Sequence, residues 1–386
     1  MNRAIRTLAF AAGLALPAAA LADTISVPGD FESISDAVEA AAAGDVILVA
    51  KGTYPESVLV AGKQDIEIRG KGNPVIQAPD GQAGITFQGS RGILLTGFTV
   101  EGGEPGLRIT GGQDLVLSKI TVVGAVGGGF LFSGGRNLEV TSCRVEGAGG
   151  AGMSFEAPVK LVLAKCVVEG AEADGIFVTG AAAGPDGGDA AVLTGNSVSG
   201  TVGAGISYVG GRVLLEKSKV ADVEGDGITV LTDEGAGATV SKNRVDRPGG
   251  AGIRTEGDGA AVVKNRVSGA GSNGFSVQGS GALLEKNQAT TGTVGFALAG
   301  SGEHVAAKNK VKTTSGNAFN VTSPGNTLEG NAATAPGGDG FFVTTSGNTF
   351  TANKAKGAGG AGLHSLQSAE ANTFDRNRFG TEQFPE

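Results

Sequence analysis

Residues 274–298 read GFSVQGSGALLEKNQATTGTVGFAL, and this stretch decides the fold. It opens with a cassette of Gly, apolar, any residue, apolar (Gly274 to Val277), and the same cassette returns at Gly295, 21 residues later. Between them a second apolar alternation brackets Asn287. Working outward, the cassette recurs thirteen times from Gly84 to Gly362, at spacings of 21–25 residues with a single gap of 30. The position of Asn287 keeps step. It is filled by Asn196, Ser218, Asn243 and Asn265 before it, by Asn309, Asn331, Asn353 and Asn377 after it, and by Phe98, Ile120, Cys143 and Cys166 in the early units.

Each unit therefore holds three short segments of period-two alternation separated by Gly-rich turns. A unit of this size cannot bury its own apolar face, so neighbours must stack, and each strand pairs in parallel with its equivalent one coil later. The expectation is an all-β solenoid of about 14 coils with three strands per coil. The second cassette position forms an inward column, in which Phe275, Phe296, Phe319 and Phe341 succeed one another. Asn tolerates the left-handed backbone of a tight turn, and stacked amides hydrogen-bond along an axis, so the Asn column reads as structural. Cys143 and Cys166 hold that column on adjacent coils. At one strand spacing, about 4.8 Å, they are within reach of a disulfide and equally able to pack as stacked thiols.

The N-terminal segment reads differently. Arg3 and Arg6, an apolar run from Leu8 to Ala20 and the small-residue site Ala20-Leu21-Ala22 form a secretory signal, so residues 1–22 are expected to be removed near Ala22 and the chain exported. Residues 23–386 then form a single domain, with repeats over 84–379. Within it, residues 30–44 (DFESISDAVEAAAAG) place Ile34, Ala37, Val38 and Ala41 on one helical face, with Ser33 and Asp36 as a capping box and Gly44 as a stop. One short helix ahead of a solenoid serves to cover its open first coil. At the other end, Phe384 is expected to fold back as a minimal plug.

Composition removes several functions. Lys plus Arg number 30 against 38 Asp plus Glu, a net charge of −8, and no basic run stands out, so no nucleic-acid partner is expected. No later segment is long and apolar enough to span a membrane. Two histidines and one Met beyond the signal argue against a copper site.

The stretch DFESISDAVEAAAAGDVILVAKGTYPESVLV resembles the opening of pectin-lyase-like right-handed parallel β-helix proteins, above all pectinesterases, whose G-x-Y-x-E motif is matched by Gly52, Tyr54 and Glu56. The resemblance covers nearly the whole chain after the signal. It implies a right-handed helix and a secreted or periplasmic protein of polysaccharide chemistry. The catalytic motifs do not follow. The D-F-I-F-G and R-P-W stretches of pectinesterases are missing, as are the G-H-G of polygalacturonases and the D-P-H of alginate epimerases, and the chain has no Trp for the W-I-D-H of pectate lyases.

In such folds active sites lie on the outward side of the first strand near the middle coils. There the resemblance points to Asp174, Asp226, Asp233, Arg254 and Glu256 as candidate catalytic residues, with Arg254 beside Asp226. Asp186, Asp189, Asp233 and Glu234, in the two largest insertions, are the candidate calcium ligands, since calcium takes clustered carboxylates. No other cofactor is expected. The leading expectation is a non-catalytic scaffold, monomeric, that binds polysaccharide or a cell-surface component. The alternative is a pectinesterase- or lyase-like enzyme with its site at the middle coils.

Overall fold

The computed structural model describes residues 22–290 and 292–385, so the expected signal peptide, apart from Ala22, lies outside the described residues. The thirteen cassettes, with one strand before them (Val58–Ala61) and one after (Glu382–Gln383), form one parallel sheet of 15 strands. The other two strands of each coil merge into a second parallel sheet of 28 strands. They merge because two early strands, Arg91–Glu101 and Gln113–Val123, run unbroken through the corner that later coils turn at Asn. The solenoid has about 16 turns, slightly more than the repeat count implies. Strands before the first cassette and after the last account for the difference, since the chain pairs from Thr24 with Val46 to Leu363 with Glu382.

Register follows the repeat. Phe275 pairs with Phe296, Phe296 with Phe319, and Phe319 with Phe341, and their rings stack at 4.5, 5.2 and 4.7 Å between centroids. Parallel in-register pairing puts like above like at one strand spacing, which is the separation offset-stacked rings prefer. The cassette glycine is fixed by crowding: a Cβ on Gly274 would stand 2.7 Å from the carbonyl oxygen of Gly295.

The Asn column is a continuous ladder. Oδ1 of Asn287 accepts the backbone N–H of Asn265 at 2.8 Å and its Nδ2–H at 3.1 Å. Nδ2 of Asn287 donates in turn to the carbonyl of Val262 at 2.7 Å and to Oδ1 of Asn309 at 3.0 Å. The left-handed residue is not the Asn, however. Positive φ falls on the residue before it, such as Lys264 at 59° and Lys286 at 56°. Asn is there for its amide, which supplies two N–H donors and an acceptor oxygen to a buried corner. Cys143 and Cys166 are free, buried thiols that serve the same corner, with Sγ donating to the carbonyls of Leu117 and Val140.

The N-terminal helix α1 spans Ile34–Ala40, shorter than the expected 30–44. Ser33 caps it through Asp36 as read, and Ile34, Ala37 and Val38 are buried. It ends early because the carbonyls of Glu39 and Ala41 turn to Lys63 Nζ, at 2.8 and 2.9 Å, and Asp45 takes the N–H of Ala42 at 2.8 Å. Gly44 lies beyond, in the turn to the next strand. At the far end Phe384 packs edge-on against Phe374, 5.8 Å between centroids, as a partial plug. The tail also adds a last rung to the cassette sheet, which the repeat did not foretell.

Candidate functional site

Outward-facing side chains of the cassette sheet form a shallow strip along the solenoid. Register places Phe177 beside Ser207, Ser207 beside Thr229, and Thr229 beside Arg254. Further on, Asn320, Phe342 and His364 follow in line.

The pre-cassette carboxylates border this strip and are held by backbone. Asp174 Oδ1 accepts the N–H of Ala204, and Asp226 Oδ1 that of Ala251, both at 2.7 Å from the next coil. Each carboxylate so caps the turn that leads into the following cassette. The fit is close enough to dictate a glycine: a Cβ on Gly250 would lie 2.2 Å from Asp226 Oδ1. Burial raises the pKa of Asp174, against a lowering by its hydrogen bond from Ala204. Asp226 Oδ2 accepts the Thr229 hydroxyl at 3.2 Å.

Arg254 turns to Glu256, two residues on along its own strand, with Nε–H donating to Oε1 at 2.8 Å. The strand's outward side brings these two together, since residues two apart share a face. Asp226 is thus engaged by Ala251 and Thr229, and Arg254 by Glu256.

Of the insertion acids, Asp189 and Asp233 share surroundings, and Asp186 is engaged elsewhere. Asp186 is exposed and pairs with Lys160 at 2.9 Å, which lowers its pKa. Asp189 and Asp233 approach Tyr208, whose hydroxyl is buried, donates to the carbonyl of Gly211 at 3.0 Å, and has its pKa raised by burial first and then by these two charges. Glu234 is exposed in the turn after Thr232. Among the described residues no group of three or more His, Cys, Asp or Glu is placed to hold a metal ion.

One pair escaped the reading of the sequence. His364 Nδ1 lies 3.0 Å from Asp339 Oδ2, while Asp339 Oδ1 caps Ala361 at 2.8 Å. The Phe342 ring meets the imidazole edge-on at 5.3 Å. The signal was present: Asp339 precedes one cassette and His364 is the outward residue of the next, so one coil step brings them together.

Among known proteins, a family described as right handed beta helix region matches residues 58–220 and 226–379. No curated protein sequence matches the chain. Among solved structures, the catalytic domain of an Asp→Ala variant of a GH87 alpha-1,3-glucanase in complex with nigerose is similar at 13% identity and a TM-score of 0.51, over 94% of this chain and 68% of that one. The catalytic unit of the thermostable GH87 alpha-1,3-glucanase from Streptomyces thermodiastaticus strain HF3-3 is 14% identical with a TM-score of 0.48, over 95% and 70%. The A-module of the Azotobacter vinelandii mannuronan C-5 epimerase AlgE4 is 13% identical with a TM-score of 0.46, over 91% and 94%. At these identities the likeness is one of fold.

Proposed function

From the premise that the chain belongs to the right-handed β-helix family, we propose that it is an exported, non-catalytic scaffold that binds polysaccharide along the outward strip of the cassette sheet. The observation that carries this reading is the engagement of the candidate acids. Asp174 and Asp226 cap backbone turns, and Arg254 is matched by Glu256, so the middle coils offer hydroxyls and the half-exposed Phe177 ring without a poised acid and base. Hydroxyls and an aromatic face are the groups a sugar chain meets best. The name of the structurally similar glucanase, which acts on a glucan, agrees with this partner class.

The expected cleavage would alter one contact. The N–H of Asp23 donates to the buried Asp45 carboxylate at 2.9 Å. Cleavage after Ala22 turns that amide into an ammonium and the contact into a charge-assisted pair.

Binding isotherms on an array of neutral and acidic polysaccharides, with and without calcium, test the reading. Retention on at least one polymer without change in its length or esterification is expected. Weakening by Phe177→Ala then locates the strip. Turnover of any of them overturns the scaffold. The Asp339–His364 pair favours a second reading, in which Nε2 of His364 acts as a general base on a polysaccharide, and loss of turnover in His364→Ala identifies it.

A further inference from the structure

The corner that the Asn ladder turns carries a cation before each buried residue from Ser218 to Asn309, and a cation after each of them except Asn287, which Gln288 follows. Lys217, Lys242, Lys264, Lys286 and Lys308 each precede the buried residue, and Lys219, Arg244, Arg266 and Lys310 follow it. No run of these exists along the chain, because 22–25 residues separate each unit from the next. The solenoid aligns them. Lys219 pairs with Arg244, Arg244 with Arg266, Arg266 with Gln288, and Gln288 with Lys310, so a double row of cations advances about 4.8 Å per coil.

Three further observations mark the row as more than a solvated edge. The five leading lysines all hold left-handed backbone, with φ between 55° and 59°, where Gly195 and Gly330 sit at the same position of other coils without strain. Lysine thus stands where glycine is the easier residue, as Ser142 and Ala352 do in other coils. Ion pairing is also incomplete: Glu216, Asp246 and Glu285 engage Lys217, Lys242, Arg244 and Lys286. Lys219, Lys264, Arg266, Lys308 and Lys310 are exposed and fall outside these pairs, although Lys308 and Lys264 lie near enough to Glu285 for their charges to help its partner Lys286 lower its pKa. Finally, the rest of the molecule repels polyanions, since the net charge is −8 despite this ridge.

We propose that the ridge, a second site on the 28-stranded sheet apart from the cassette strip, binds a linear acidic polysaccharide laid along the long axis, a proposal that rests on the scaffold reading. Cations one strand spacing apart lie within a Debye length of one another, so their attraction sums along a straight ligand. A carboxylated sugar chain supplies charges at that kind of regular interval. Single-stranded nucleic acid fits less well, because its sites add aromatic platforms for bases. The only aromatics between residues 238 and 312 are Phe275 and Phe296, both fully buried in the cassette sheet.

The test uses the full chain and polygalacturonate as probe, beside a neutral glucan, oligo-dT and phosphatidylglycerol vesicles. Polygalacturonate is expected to bind at about 50 mM salt and to weaken about tenfold or more by 200 mM. K264E/K308E should lose about tenfold in affinity, whereas K71E/R136E, with the same change in net charge, should lose little. Unchanged circular dichroism of both variants shows that folding is not the cause. Equal losses in the two variants, or an affinity insensitive to salt, overturn the ridge. Tighter binding of oligo-dT or of the vesicles assigns it to nucleic acid or membrane and overturns the proposal. Binding of the neutral glucan alone overturns the ridge and leaves the scaffold standing, and binding of no polysaccharide overturns both.

Discussion

His304 is fully buried, and its two ring nitrogens are spoken for. Nδ1 accepts the N–H of Ala282 at 3.2 Å, and Nε2–H donates to the carbonyl of Ala299 at 2.9 Å. The imidazole is therefore neutral, and burial, the leading cause, lowers its pKa below the ordinary histidine value. The unfolded chain binds a proton more readily than the folded one, so stability rises with pH through the window between the lowered value and about 6.5, and is fully present above it. As pH falls below about 6.5 this contribution is lost. The next three coils carry Asn326, Asn348 and Asn372 at the same position, and Asn326 Oδ1 accepts the N–H of His304 at 3.0 Å. His304→Asn should extend that amide row, retain stability at pH 7, and flatten the acid limb of a urea-midpoint against pH profile. An unaltered acid limb would place the sensitivity elsewhere. A neighbouring test is Asn287→Val, which strands the N–H of Asn265 and the carbonyl of Val262 and should cost about 3 kcal/mol in chemical denaturation. Asn287→Ser should cost less, because Ser218 already serves in the column by accepting the N–H of Asn196 at 3.3 Å.

At the scale of elements, helix α1 has only seven residues and depends on what meets its ends. Glu56 accepts the N–H groups of Ile34 and Ser35 at 2.8 and 2.9 Å, and Tyr54 anchors the same turn by donating to the carbonyl of Ala50 at 2.9 Å. The pectinesterase-like Gly52-Tyr54-Glu56 is thus a clamp on the cap. Glu56→Ala should cost about 1–2 kcal/mol and raise amide exchange in α1 before it does so in the coils, as seen by hydrogen–deuterium exchange. The repeat itself was legible because one face of each coil is buried everywhere, which forces the period to persist in residues such as Phe275 and Phe296. What remained hidden has a common cause. The row from His304 to Asn372 changes residue type along its length, Asp339 and His364 are 25 residues apart, and the cations of the Asn corner never adjoin in the chain. Each is a column across coils, and a column composed of unlike residues leaves little trace in a linear repeat. The capping role of the pre-cassette acids was hidden for a related reason: nothing in their spacing distinguishes a carboxylate aimed at solvent from one aimed at the next coil's N–H.

For the whole molecule, a solenoid is only as soluble as its two ends, since each exposes unpaired strand edges and the open apolar core. The N-terminal end has α1, clamped by Glu56 and Lys63. The C-terminal end has less: a two-residue strand, Glu382–Gln383, laid on Leu363 and His364, with Phe384 against Phe374. Its hold is backbone and one hydroxyl, as Thr381 Oγ1 accepts the N–H of Gly362 at 2.9 Å. Beneath it Phe379 is buried and contacts Phe341 at 5.3 Å between centroids, so the stacked phenylalanine column opens directly onto this end. Deleting residues 380–386 uncovers that column and the cassette edge at Leu363. The truncated chain should melt earlier, and sedimentation at rising concentration should show end-to-end association, because an exposed edge in register templates its like. Replacing Phe384 alone by Ser separates the two contributions: it removes the ring but leaves the last rung, and so should lower the melting temperature without matching the association of the deletion. Identical sedimentation of the truncated and intact chains would show that the end is closed by the coils beneath.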